Sequence, residues 1–333
     1  MGGVMKILNY YVYSKGVLGV KTNVSDFKWI YGSVAPSVSP SEYDCCAVRL
    51  DITVKPEKEL PVVNDYDSRF QSYFWNNRTN TLSCRRALLG KIHIGYDITV
   101  NDNGAVVTMG KNYYKLVKKR VMNLHDAYYL LSDLANLLLL RKGYLTLYSS
   151  AVHSLTLGEG IVFFAPPSTG KTVTAMSLCE MDEYTLIGED ISIFMGGQLF
   201  ACPYTSSYRG KPSLLDNSGA LGRVRKTDVG DICECSELKN VFVLANGNGE
   251  YTSDKHEVYR RAAILNGYLF NYLSSPIVKL LGYFDPEFSI EWETEAQKIL
   301  KKLVDESKCH VIYSSDAFAF ANIVHGIVTG ENK

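Results

Sequence analysis

Residues 161–172, IVFFAPPSTGKT, decide how this chain is read. The apolar run from Ile161 to Ala165 reads as a buried strand. A proline-containing loop follows, and Gly170, Lys171 and Thr172 open a helix that runs through Val173 to Cys179. Strand, glycine-containing loop and helix, in that order, are the setting of a phosphate-binding P-loop (Walker A). Such a loop turns backbone N–H groups inward to hold phosphate oxygens, helped by the positive end of the helix. Pro167, Ser168, Thr169, Gly170, Lys171, Thr172 and Val173 are the candidate nucleotide cradle. Lys171 would reach the β- and γ-phosphates, Thr172 would place its hydroxyl on Mg²⁺, and Gly170 would let the backbone approach the phosphates without a Cβ in the way. Two departures stand out. The pattern G-x-x-x-x-G-K-[ST] wants glycine where this chain has Ala165, and Pro166 and Pro167 remove two potential N–H donors.

A second constellation lies 17–18 residues beyond Thr172. Residues 185–194, TLIGEDISIF, read as a strand carrying the adjacent acids Glu189 and Asp190. An acid beside a P-loop helps to organise Mg²⁺. Neighbouring residues on a strand point to opposite faces, so the pair needs a bend if both acids are to serve one site. The plain alternative is a solvated strand end. A third segment, residues 201–225, is rich in Gly, Ser and Pro and carries Arg209, Lys211, Arg223 and Arg225. It reads either as a loop that closes over phosphates, with Arg209 the candidate for stabilising transferred charge, or as an exposed loop with solvated charges.

The resemblance that these segments carry is specific. The run LTLYSSAVHSLTLGEGIVFFAPPSTGKTVTAMSL, followed by YTLIGEDISIF, resembles the catalytic domain of the HPr kinase/phosphorylase superfamily, whose fold is similar to that of ATP-dependent phosphoenolpyruvate carboxykinase. The similarity covers residues 144–205 clearly and extends more faintly to the C-terminus. It implies an α/β, PEP-carboxykinase-like P-loop kinase domain at residues 123–333, behind a β-rich N-terminal domain at residues 1–122 whose place suggests acceptor recognition. It also implies roles: one acid of the pair as base towards the acceptor hydroxyl, the other holding metal with Thr172. By position these are Glu189 and Asp190, with Lys171 and Arg209 as further catalytic residues and Asp190 as the metal-binding acid. Glu189 stands where the family usually has Asp, so which acid is the base stays open. Tyr148 stands where the family signature has His, and His153, five residues on, does not align with it. The family's N-terminal domain and its C-terminal glycine-rich signature have no counterpart here, so the HPr-phosphorylating enzyme itself is not expected.

The rest of the chain supports a globular reading. Of 333 residues, 46% are hydrophobic and 21% charged, which excludes wholesale disorder, and the length suits two domains or one large one. Lys plus Arg equals Asp plus Glu at 35 each, so bulk charge gives no support to nucleic-acid binding. No segment approaches the run of about 20 apolar residues that spans a bilayer. The start, MGGVMKILNYYVYSKG, reads as a poor signal peptide; Lys6 sits where a myristoylation motif wants Ser or Thr, and Met5 is an alternative start. Eight cysteines without zinc spacing read as thiols in a reducing cytosol, hence a cytoplasmic expectation.

Along the first hundred residues, VRLDITV at 48–54 alternates, and KIHIGYDITV at 91–100 with the NDNG turn reads as a hairpin. The many aromatics there, among them Tyr13, Trp29, Tyr66, Phe70 and Trp75, read first as packing and second as a substrate face. Residues 126–140 read as a helix, with the domain boundary just before it near 122. Strands are expected at 144–152 and 310–314, and helical segments at 258–281 and 290–307.

The function expected is therefore an ATP- and Mg²⁺-dependent kinase that phosphorylates a hydroxyl of a peptide, a protein or a small molecule. Neither nucleic acid nor a membrane is expected as a partner, and the family often forms homo-oligomers. The alternative is a nucleotide-binding switch or scaffold whose active site has decayed. Carboxykinase chemistry would need a further His and Lys metal site, and the sequence offers no such cluster.

Overall fold

The computed structural model describes residues 8–29, 35–88, 90–118, 125–203, 232–267, 277–284 and 286–331. The chain starts with β1 (Asn9–Ser14), β2 (Leu18–Thr22), α1 (Pro40–Asp44), β3 (Val48–Lys55), β4 (Ser68–Phe70), β5 (Tyr73–Asn76), β6 (Thr81–Leu88), β7 (Ile92–Asn101), β8 (Gly104–Gly110), α2 (Lys111–Lys118) and α3 (His125–Arg141). It continues with β9 (Leu145–Tyr148), β10 (Ser150–Ser154), β11 (Glu159–Phe164), α4 (Lys171–Cys179), β12 (Tyr184–Gly188), β13 (Ile191–Met195) and β14 (Gln198–Ala201). It ends with β15 (Cys235–Asn246), α5 (Lys255–Gly267), α6 (Ile277–Phe284), α7 (Pro286–Asp305), β16 (Lys308–Ser314) and α8 (Ala319–Thr329). This is a mixed α/β protein with two large mixed sheets. Among the described residues no helix is long and apolar enough to cross a membrane.

The chain forms two compact units: residues 1–142 with 273–295, and residues 143–272 with 296–333. The division thus falls after α3, not near residue 122, because α3 packs on α2, β3 and α6. The chain then returns to the first unit at 273–295, a detour that no local pattern announces.

The first unit is built on an eight-stranded sheet ordered β1-β2-β3-β8-β7-β6-β5-β4. The alternation in β3 decides its face: Val48, Leu50, Ile52 and Val54 are buried while the residues between them are half-exposed. The expected hairpin is present as the antiparallel pair β7–β8, with Asn101 opposite Gly104. At that turn a Cβ on Gly104 would come within 1.8 Å of the Arg49 carbonyl oxygen, so only glycine fits. The aromatics divide. Tyr13 packs edge-on to Trp29 in the core, whereas Tyr66 and Phe70 stay exposed.

The second unit has the order β12-β10-β11-β15-β14-β13-β9, with β16 on the other side of β15. The long β15 joins two regions. Its start pairs antiparallel with β14, and its remainder runs parallel to β11 and β16. Helices α4 and α8 cover one face, and α5 packs on the opposite face of β11, β15 and β16. That double cover explains why β11 is apolar at consecutive positions rather than alternating. Under α4 and α8 lies a core of Ile161, Phe163, Ala165, Ala175, Leu178, Phe242, Leu244, Phe320 and Val324.

Phe163 is fully buried at the centre of this core. Phe163→Ala is expected to cost about 3–5 kcal/mol of stability, read as a lower urea midpoint. Leu155→Ala, at a largely exposed position, should stay within about 0.5 kcal/mol of wild type in the same assay.

Candidate functional site

The loop between β11 and α4 emerges at the C-terminal end of a parallel strand, where open α/β sheets place their ligands. Ala165 is buried, Pro166, Pro167 and Ser168 are exposed, and Thr169 is buried again. Two residues turn the backbone left-handed: Ser168 at φ 65° and Gly170 at φ 120°. The Thr169 N–H donates to the Pro166 carbonyl at 3.3 Å, which closes the turn. Gly170 caps α4 without a side-chain hydrogen bond. Its carbonyl accepts the Thr174 N–H at 2.8 Å and the Thr174 hydroxyl at 3.0 Å. The N–H groups of the first turn, Lys171, Thr172 and Val173, have no partner further back in the helix, which leaves them available to an anion.

A Cβ on Gly170 would meet the Cβ of Ala317 at 2.8 Å. Ala317 lies in the connection from β16 to α8, which is tied by the Asp316 N–H to the Ser314 hydroxyl (3.0 Å) and by the Phe318 N–H to Asp316 Oδ1 (2.9 Å). This neighbour is remote in sequence and carries no local signal. The alanine at 165 is also accounted for. Its methyl is packed in the core under α4, so the loop accommodates a Cβ there.

Lys171 points inward and is only 5% exposed. Its ammonium donates to the Ala165 carbonyl at 3.3 Å and sits 4.1 Å from the centre of the Tyr148 ring. Burial pulls its pKa below the usual lysine value, while Asp190 and Glu189 pull it back up. The residue that replaces the expected histidine thus forms a face of the lysine's enclosure. Tyr148 itself is held by Asn266 of α5, whose side chain accepts the Tyr148 N–H at 2.8 Å and donates to the Thr146 carbonyl at 3.3 Å.

The acid pair does not lie within one strand. The expected strand at 185–194 is two strands, β12 and β13, broken at Glu189 and Asp190. Gly188 makes the break possible, because a Cβ there would stand 2.3 Å from the Ile191 carbonyl oxygen. The expected strand at 144–152 is broken opposite it, at Ser149. The two breaks are stitched together: Ser150 donates its hydroxyl to the Glu189 carbonyl, the Ser149 N–H donates to the Asp190 carbonyl (3.2 Å), and the Ser149 and Ser192 hydroxyls pair at 2.7 Å in the interior. The break frees the pair from the strict alternation of one strand, and the charges of Asp190 and Glu189 both raise the Lys171 pKa against its burial. Glu189 is buried and Asp190 half-buried.

Of the other expected residues, Thr172 and Val173 are half-buried on the first turn of α4. Arg209, Lys211, Arg223 and Arg225 lie outside the described residues. His153 is not brought to the site; its half-buried ring has Nδ1 2.7 Å from the Ser236 hydroxyl, and burial lowers its pKa. Among the described residues no three His, Cys, Asp or Glu side chains gather as a metal cluster. A divalent ion here would rest on one hydroxyl and one carboxylate, with substrate oxygens completing its shell. Compared with models of known protein families and with curated proteins, the chain matches none.

The enclosure of Lys171 has a consequence for stability. A buried ammonium costs free energy, and the group binds its proton less tightly in the folded chain than in the unfolded one. Its stability penalty is full below the lowered pKa and fades as pH rises towards the unfolded value of 10.5. Lys171→Met should melt no lower than wild type near neutral pH in a thermal-denaturation series, with the gap closing as pH rises.

Proposed function

We propose that the second unit is a P-loop kinase domain of the PEP-carboxykinase-like, HPr-kinase-like class, which binds ATP with Mg²⁺ and transfers the γ-phosphate to a hydroxyl of a peptide, a protein or a small molecule. One observation carries the reading: an uncapped helix N-terminus behind a left-handed glycine, whose first residue is a buried lysine under the charge of two carboxylates, at the C-terminal end of a parallel strand. In this reading the N–H groups of the α4 first turn and Lys171 orient the phosphate chain. Thr172 and Asp190 are the residues that would hold Mg²⁺, whose chemistry there is neutralisation of phosphate charge.

Glu189, the more buried acid, takes the acceptor proton. The acceptor O–H bond breaks towards the carboxylate, the acceptor oxygen bonds to the γ-phosphorus, and the bond to the leaving ADP oxygen breaks. Positioning and charge placement do the rest. The second reading, nucleotide binding without transfer, draws support from Pro166 and Pro167, exposed loop positions that can donate no N–H to a phosphate.

The two readings part in a single-turnover assay with γ-labelled ATP and a panel of hydroxyl acceptors. Transfer supports the kinase; retained binding without transfer to any acceptor supports the switch. Given transfer, Glu189→Gln should lower kcat by about 10²–10⁴-fold with Mg-ADP affinity kept. Asp190→Asn should instead raise the Mg²⁺ concentration needed for half-maximal rate. Full activity in both variants would remove the acid pair from the mechanism.

A further inference from the structure

A groove of about 980 Å³ opens within the first unit, between the segment at 57–63 and the adjoining ends of β6 and β7. Leu60, Val62, Val63, Phe74, Ile92 and Ile94 make it largely apolar. One wall is fixed from three sides. Leu60 Cδ1 lies 3.1 Å from where a Cβ on Gly95 would stand, so the absent side chain at 95 seats it. Arg85 donates to the Pro61 carbonyl at 2.8 Å, and the Glu57 carboxylate accepts the Asn112 N–H. The groove is therefore built rather than left by a loose loop.

Its charges do not balance. Arg85 is neutralised by Asp97, which it grips with two hydrogen bonds of 2.8 Å. Glu57 is engaged by the backbone. Lys58, Arg86 and Lys91 remain as exposed cations on the lining, and none of them is in an ion pair among the described residues. His93 lies exposed beside them. Apolar surface stands open next to these charges: Val62 is 79% exposed and Ile92 47%. An apolar patch rimmed by charge of one sign marks an interaction surface.

We propose that this groove docks an acidic polypeptide segment with interspersed apolar side chains, supplied by a partner protein. The unpaired cations set the sign of the partner, and the exposed valine and isoleucine require that it also carry apolar groups. The groove is open to solvent, which suits a chain laid across it better than a small ligand, since small ligands are mostly enclosed. The site lies wholly within the first unit and does not rest on the nucleotide reading.

The test is fluorescence anisotropy on the full chain, without nucleotide, using a fluorescein-labelled peptide of alternating glutamate and leucine. Saturable binding that weakens with salt is expected, falling by about tenfold or more in the combined Lys58→Glu, Arg86→Glu and Lys91→Glu variant. Val62→Asp, a single change at an exposed position, should also weaken it and guards against misfolding of the triple variant. The proposal is overturned if wild type does not bind the peptide, if both variants bind it unchanged, or if an alternating lysine–leucine peptide binds as well. Binding of dodecanoate in place of the peptide would assign the groove to small anionic amphiphiles and overturn it equally.

Discussion

Burial of the Lys171 ammonium is the constraint around which the second unit is arranged. Taking a charged amine out of water costs several kcal/mol unless its surroundings return the loss. Here the return comes from three kinds of group. The Ala165 carbonyl accepts a hydrogen bond, the Tyr148 ring offers its negative face, and two carboxylates supply opposite charge. The balance is incomplete, since the lysine still binds its proton less tightly than in water. An incomplete balance is what the proposed phosphate site would require. An ammonium already saturated by carboxylates would have little left to offer a phosphate, and an ammonium with no compensation would discharge its proton.

The surrounding architecture meets this constraint with main-chain contacts. Tyr148 is set by Asn266, which holds the backbone on both sides of residue 147. The acids are set by Ser149 and Ser150, which hold the carbonyls of Asp190 and Glu189. The interruption of two neighbouring strands at facing positions would leave buried backbone polar groups unpaired, at a cost comparable to lost hydrogen bonds. The serines supply the missing partners, so the kink is locally satisfied rather than strained.

What the sequence discloses follows from the range of the forces involved. The alternation of β3, the NDNG turn before β8 and the helix opened by Gly170 are written in neighbouring residues, and each occurs where those residues place it. The strand breaks at Ser149 and at Glu189 and Asp190 are not legible this way. Both runs carry adjacent polar residues at the break, Ser149 with Ser150 and Glu189 with Asp190, but what interrupts them is the close approach of Gly188 to Ile191 and the hydrogen bonds between two strands far apart in sequence. The same holds for Ala317 against Gly170, and for residues 273–295, which belong with the first unit although their helical pattern reads like that of any other helix. Of the candidate site, Lys171, Thr172 and the acid pair were open to a reading by motif, whereas the serines, Asn266 and Ala317 required the fold.

This division bears on the side chains gathered around Lys171. The acid turn is fixed through its carbonyl oxygens, and the side chains at 189 and 190 take no part in holding it through those bonds. The main-chain bonds at 189 and 190 are thus independent of the length of the acid side chains. The alanine at 165 follows the same logic, because its carbonyl meets Lys171 while its methyl belongs to the core. Tyr148 likewise meets Asn266 through its backbone N–H, so the contact that places the strand does not depend on the ring that faces the lysine. Around Lys171 the main-chain atoms of Tyr148, Ala165, Glu189 and Asp190 make contacts that place the site, and the side chains at those positions set what faces the lysine.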